Sequence, residues 1–240
     1  MKRIYTKPDD DGEARLALWK AICVAADDIR HKFNIKSISA NTLIVSSKCE
    51  LPDVATWQLV EAISLLGVIL RADNATEGTI NIFGKTGPVR LIEDGKERYL
   101  WAQQSIRGEK SALVGRPDLV VTSSSEPPQP SNILRVIEAK CVKSLGAQII
   151  RSEFGKAHDL RVASYLIWSF YTPSKGAITG ARALGIDLQP LGFDTDRRKD
   201  LIKCPETLIA RVAYAQEFAR QENMIFKALK ESTQAMLLKM

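Results

Sequence analysis

Hydrophobic periodicity divides the chain into alternating helical and extended segments. Over residues 12–33, Ala14, Leu16, Ala17, Trp19, Ile22, Cys23 and Ile29 recur at helical spacing, which predicts an amphipathic helix. Residues 35–46 are β-rich and predict a strand. A second helix is predicted over 53–66, where Val54, Trp57, Leu59, Val60, Ile63 and Leu65 form the apolar stripe. Residues 67–71 and 78–83 flank a polar turn and predict a hairpin. The runs 89–92 and 98–101 predict another around Asp94-Gly95, a favoured two-residue turn, with extended chain on to 106.

The second half of the chain is more regular. Leu119-Val120-Val121-Thr122 and Ile133-Leu134-Arg135-Val136-Ile137 predict two strands, joined by a Ser/Pro-rich loop at 123–131 whose prolines do not fit a central strand. A helix over 147–158, a strand over 163–170, a helix ending at Ala183 and a last strand entered through Leu184-Gly185-Ile186-Asp187-Leu188 follow. From Pro205 to about Lys239 the pattern is helical, with a stripe of Leu208, Ile209, Val212, Phe218, Ile225, Phe226, Leu229 and Leu237. No internal repeat is found.

Composition changes this picture little. At 240 residues the chain holds one large α/β domain or two small ones, and 45% hydrophobic with 26% charged residues is ordinary for a globular protein. No apolar run reaches the length of a membrane span, and no signal-peptide core is found near Met1. Cys23, Cys49, Cys141 and Cys204 are scattered singly, and histidine occurs only at His31 and His158. A zinc site or disulfide framework is therefore not expected, and a cytoplasmic location is. The net charge of +6 suits a polyanionic partner.

The candidate chemistry lies on the paired strands. Pro117-Asp118 opens one and Glu138-Ala139-Lys140 closes the other, some twenty residues on. Two carboxylates and a lysine on neighbouring strand ends suit a Mg²⁺-dependent phosphodiester hydrolase, because Mg²⁺ prefers oxygen ligands and polarises both phosphate and water. Similar dipeptides elsewhere have local explanations. Asp94-Gly95-Lys96 is a turn, and Pro8-Asp9 and Pro52-Asp53 precede helical patterns, where Pro and Asp serve as start signals. Basic residues gather near the motif: Arg107, Lys110, Arg116, Lys143, Arg151, Lys156 and Arg161, the first six being candidate DNA-backbone contacts. Arg197-Arg198-Lys199 forms a second patch. Gln103 or Gln104 could touch a metal water or phosphate. Glu153 and Lys156 are read as a surface ion pair, and His158 as a helix-end residue.

In order of elements, residues 115–192 resemble the PD-(D/E)xK nuclease superfamily, and within it the Mrr-like restriction endonuclease branch. The likeness rests on the acid-x-Lys strand ending at Lys140, a helix with Gly155 inside, an apolar strand leading to Thr172, and an alanine-spaced helix before Gly185-Ile186. The sequence departs from that branch at Gly115-Arg116, where members show a Gly-rich segment, and at Glu138, where many carry Gln. The resemblance implies an α/β fold with a restriction-endonuclease-like core, a mixed central sheet flanked by helices, over residues 51–195. Residues 1–50 would be an N-terminal α+β extension and 196–240 a long C-terminal helical segment. It also implies a Mg²⁺ site, open to Mn²⁺, formed by Asp118, Glu138 and the Ala139 backbone carbonyl, with Glu61 as an additional ligand from the helix. Lys140 would position the attacking water. The implied activity is DNA endonuclease, restriction-like and suited to defence against foreign DNA. Repair, junction-resolving and transposon-end nucleases share such a site, and a non-catalytic DNA-binding module on the same fold is the competing class. By the same analogy a homodimer would form through the C-terminal helix.

Overall fold

Residues 12–35, 37–39, 50–76, 79–220 and 228 are described in a computed structural model of the chain. The elements run α1 (Gly12–Phe33), β1 (Ile38–Ser39), α2 (Thr56–Arg71), β2 (Asn74–Thr76), β3 (Ile80–Asn81), β4 (Thr86–Glu93) and β5 (Lys96–Ala102). They continue through β6 (Ile106–Arg107), β7 (Val114–Gly115), β8 (Leu119–Thr122), β9 (Ile133–Lys140), α3 (Ala147–Leu160) and β10 (Ser164–Ser169). The last are α4 (Lys175–Leu184), β11 (Asp187–Pro190), α5 (Arg198–Lys203) and α6 (Pro205–Ala219).

Seven strands form one mixed sheet in the order β11-β10-β9-β8-β5-β4-β2. β9, β10 and β11 are parallel, and β8, β5, β4 and β2 follow antiparallel. Helices cover both faces. Leu91, Leu100, Leu119, Ile137, Leu166 and Trp168 face the layer of α1, α2 and α6. Trp101, Val120, Val136, Tyr165 and Ile167 face α3 and α4. Burial on both faces explains why β10 is apolar along nearly its whole length and lacks strict alternation. The protein is thus mixed α/β, a large mixed sheet flanked by helices. Among the described residues no helix is long and apolar enough to cross a membrane.

Several expectations need correction. Residues 67–71 are not a strand: they continue α2 to Arg71, and β3 pairs with β1 instead. Val68 and Ile69 sit on the buried side of the helix. Gly67 lets α6 approach, since a Cβ there would meet Val212 Cγ1 at 2.7 Å. Pro52 and Asp53 do not start α2. Its N-cap is Ala55, whose side chain cannot cap, and Gln58 Oε1 accepts the Ala55 N–H at 2.9 Å in its place. Of the strand predicted over 35–46, Ile38–Ser39 is β1, and residues 40–46 lie outside the described set, as do Pro8-Asp9. The helix predicted from Pro205 begins there as α6, with the short α5 before it, and residues 221–227 and 229–239 of the predicted span lie outside the described set. Leu208, Ile209 and Val212 are buried in the layer shared with α1 and α2. Cys23 is disulfide-bonded, against the expectation of no disulfide.

The predicted turn at Asp94-Gly95 is present, with φ of 51° and 70°, the double positive φ of a type I′ hairpin. Arg135 on β9 secures this hairpin through a buried ion pair with Glu93, Nη1 donating to Oε2 at 2.7 Å.

Candidate active site

Alternation along β9 sets the site. Val136 faces α3, so Glu138 and Lys140 face the same way, while Ile137 and Ala139 turn to α2. Glu138 is 2% exposed and charged, so it needs compensation. Lys140 Nζ donates to its Oε2 at 2.6 Å and Lys156 Nζ, from α3, to its Oε1 at 2.7 Å. Glu153 closes the cluster, lying 3.1 Å from Lys140 Nζ and 2.8 Å from Lys156 Nζ. The Tyr165 hydroxyl, on β10, donates to Glu153 Oε2 at 2.5 Å and stands 3.3 Å from Glu138 Oε1. Two carboxylates and two ammonium groups balance, as a buried ionic network requires.

Asp118 sits at the mouth of β8, where its Oδ2 accepts the Ala139 N–H at 2.8 Å. The β8–β9 pairing ends at Leu119 opposite Ile137, and the chain bends at Asp118 just before it. Glu61, from α2, accepts a hydrogen bond from Gln103 Nε2 at 2.8 Å, and its carboxyl feels Glu138, Arg116 and Lys140 electrostatically.

The charges shape each acid differently. Burial, with the Glu138 charge added, pushes the Asp118 carboxyl well above the ordinary aspartate range, against the pull of Lys140. Burial acts the same way on Glu138, but Lys140 and Lys156 outweigh it and hold its pKa below the usual value. Burial also raises Glu61, opposed by the Gln103 hydrogen bond and aided by Glu138. Burial disfavours the Lys140 cation, yet Glu138, Glu153 and Asp118 more than offset this and raise its pKa. Lys156 is raised by the same balance, with Glu138 and Glu153 as its anions. Burial thus favours the protonated form of Asp118 and of Glu61, while both lysines are held cationic.

The fold brings Asp118, Glu138, Lys140, Ala139, Glu61 and Gln103 together. Gln104 instead donates to the Thr86 and Ala102 carbonyls, at 3.4 and 3.2 Å. Arg107, Lys110, Arg116, Lys143 and Arg151 are exposed, and of these Arg116 acts electrostatically on Glu61. Lys156 differs, because its ammonium lies inside, between two carboxylates. Glu153 is buried and is no surface partner. Helical spacing carries that signal: Glu153 shares a face with Ile150 and Ala157, both fully buried. Tyr165 escapes a reading by pattern because it fits an apolar strand; a buried tyrosine needs a hydroxyl partner, which is the available clue.

Among the described residues no three of His, Cys, Asp or Glu form a ready metal cage. Asp118 and Glu138 supply oxygen donors of the kind Mg²⁺ prefers, although both Glu138 oxygens already accept from lysines and Asp118 Oδ2 accepts the Ala139 N–H. No family model, no curated protein and no solved structure matches the chain.

Proposed function

We propose that this protein is a Mg²⁺-dependent endonuclease that hydrolyses DNA phosphodiester bonds, on a restriction-endonuclease-like core of the PD-(D/E)xK kind. The observation that carries the reading is Asp118 and Glu138 meeting at the ends of adjacent strands, with Lys140 beside them. Asp118, Glu138 and the Ala139 carbonyl would hold Mg²⁺ (or Mn²⁺), with Glu61 within electrostatic reach. The bound ion would stabilise charge on the phosphoryl oxygens and acidify a water. Lys140 would position that water by a hydrogen bond or help to deprotonate it. The exposed Arg107, Lys110, Arg116, Lys143 and Arg151 would neutralise backbone phosphates without reading sequence. Cleavage of both strands calls for two copies, and their interface would lie away from the Leu208, Ile209 and Val212 stripe, which is buried within one subunit. Restriction, repair, junction-resolving and transposon-end nucleases share these requirements.

One observation favours a non-catalytic DNA-binding module on the same fold: both oxygens of Glu138 already have lysine partners. Cleavage separates the two readings. Plain, methylated, single-stranded and branched DNA, with RNA as control, are incubated with the protein in Mg²⁺ or Mn²⁺. Wild type cleaves at least one DNA, and Asp118→Ala or Lys140→Ala abolishes cleavage while leaving folding and DNA binding largely intact. Absence of cleavage of every DNA by wild type would overturn the nuclease reading.

A further inference from the structure

The two arms of the β6–β7 hairpin grow out of the active site, and its tip presents apolar side chains to solvent. The incoming arm follows Gln103, which bonds Glu61, and the outgoing arm runs Gly115-Arg116-Pro117 into Asp118. Near the tip Leu113 is 71% and Val114 69% exposed, the two most exposed large apolar residues among those described. The tip is also pinned. Asp159, near the end of α3, accepts the Lys110 and Ser111 N–H groups at 3.0 and 2.8 Å and the Ser111 hydroxyl at 2.5 Å. Gly108 permits that approach, because a Cβ there would come within 1.7 Å of Asp159 Oδ2. Flanking the apolar pair are the exposed cations Arg107, Lys110 and Arg116, while the acid among them, Glu109, is paired with Arg161.

A held apolar tip with a cationic rim complements a duplex, whose phosphates are anionic and whose base stack is apolar. Resting on the nuclease reading above, we propose that this hairpin is a DNA wedge: Leu113 and Val114 enter the groove and unstack base pairs beside the bond to be cut. The four residue-to-residue steps from Val114 to Asp118 span at most about 13 Å. At roughly 3.4 Å per base pair, the disturbed steps lie within about four base pairs of the cleaved bond.

The test uses the full chain, a duplex cut by wild type, and the same duplex carrying a mismatch at the wedge position. With Ca²⁺ replacing Mg²⁺, permanganate reports unstacked thymines in the bound duplex. Wild type makes thymines within about four base pairs of the cut site reactive. The double variant Leu113→Ala/Val114→Ala, altered only at exposed positions, loses that reactivity. In Mg²⁺ it cuts paired DNA about tenfold or more slowly, yet mismatched DNA within about twofold of wild type, since the mismatch has already lowered the unstacking cost. Unreactive thymines around a bound and cleaved site, or equal slowing on both duplexes, would overturn the wedge alone. If wild type neither binds nor cuts any DNA, the nuclease reading fails first and the wedge with it.

Discussion

Replacing Lys156 by methionine tests the charge balance of the site without relying on turnover. The substitution keeps the apolar stem and removes an ammonium lying 2.7 Å from Glu138 Oε1 and 2.8 Å from Glu153 Oε2. At an effective dielectric of about 20, attraction at such distances is about 6 kcal/mol per contact, much of it offset by desolvation. Breaking a buried pair typically costs about 3–5 kcal/mol because a charge is left uncompensated. The Lys156 side chain is 28% exposed, so solvent screens part of this, and about 2–3 kcal/mol is expected. For a chain of this size that lowers Tm by roughly 5–10 °C in EDTA. Glu153→Gln in the same chain removes the surplus negative charge and recovers most of the loss. Because the variant frees a Glu138 oxygen, saturating Mg²⁺ raises its Tm by more than it raises that of wild type. Thermal melts followed by circular dichroism, with EDTA and with Mg²⁺, give both quantities. A variant melting with wild type in EDTA would refute the charge balance, and an equal Mg²⁺ effect on the two proteins would refute cation binding at Glu138.

Asp118→Asn should raise Tm in EDTA at neutral pH. A carboxyl whose pKa is raised on folding is destabilising while ionised, by about 1.4 kcal/mol for each tenfold weakening of the acid. The sign follows from proton uptake: wild-type stability at this site rises as pH falls through the folded pKa towards the ordinary value of 3.8, so the variant's advantage shrinks over that window. A gain independent of pH would refute the assignment. Gly67→Ala should cost about 1–3 kcal/mol in denaturant melts, because its Cβ collides with Val212 Cγ1, and Val212→Ala in the same chain should recover much of that loss. An unchanged midpoint for Gly67→Ala would mean that α2 and α6 do not pack as closely as the Gly67–Val212 contact requires.

Local chemistry was enough to determine much of this protein. Periodicity located α1, β8, β9, α3, β10 and α4, because which face of an element is apolar depends on spacing along a few turns or strand residues. It also isolated Asp118, Glu138 and Lys140 from similar dipeptides, since only that set ends neighbouring strands. The same local signal failed at Gly67–Leu70, where an apolar run suits helix and strand alike and α6, nearly 150 residues on, settles the matter. Tertiary structure alone placed β10 beside β9, which carries the Tyr165 hydroxyl to Glu153 and Glu138. It likewise brought Gln103 to Glu61 and turned Glu153 and Lys156 inward as counter-charges. Sequence spacing records which face a side chain occupies. It does not record which distant element that face will meet, and the charge of a buried group is decided by the partners found there.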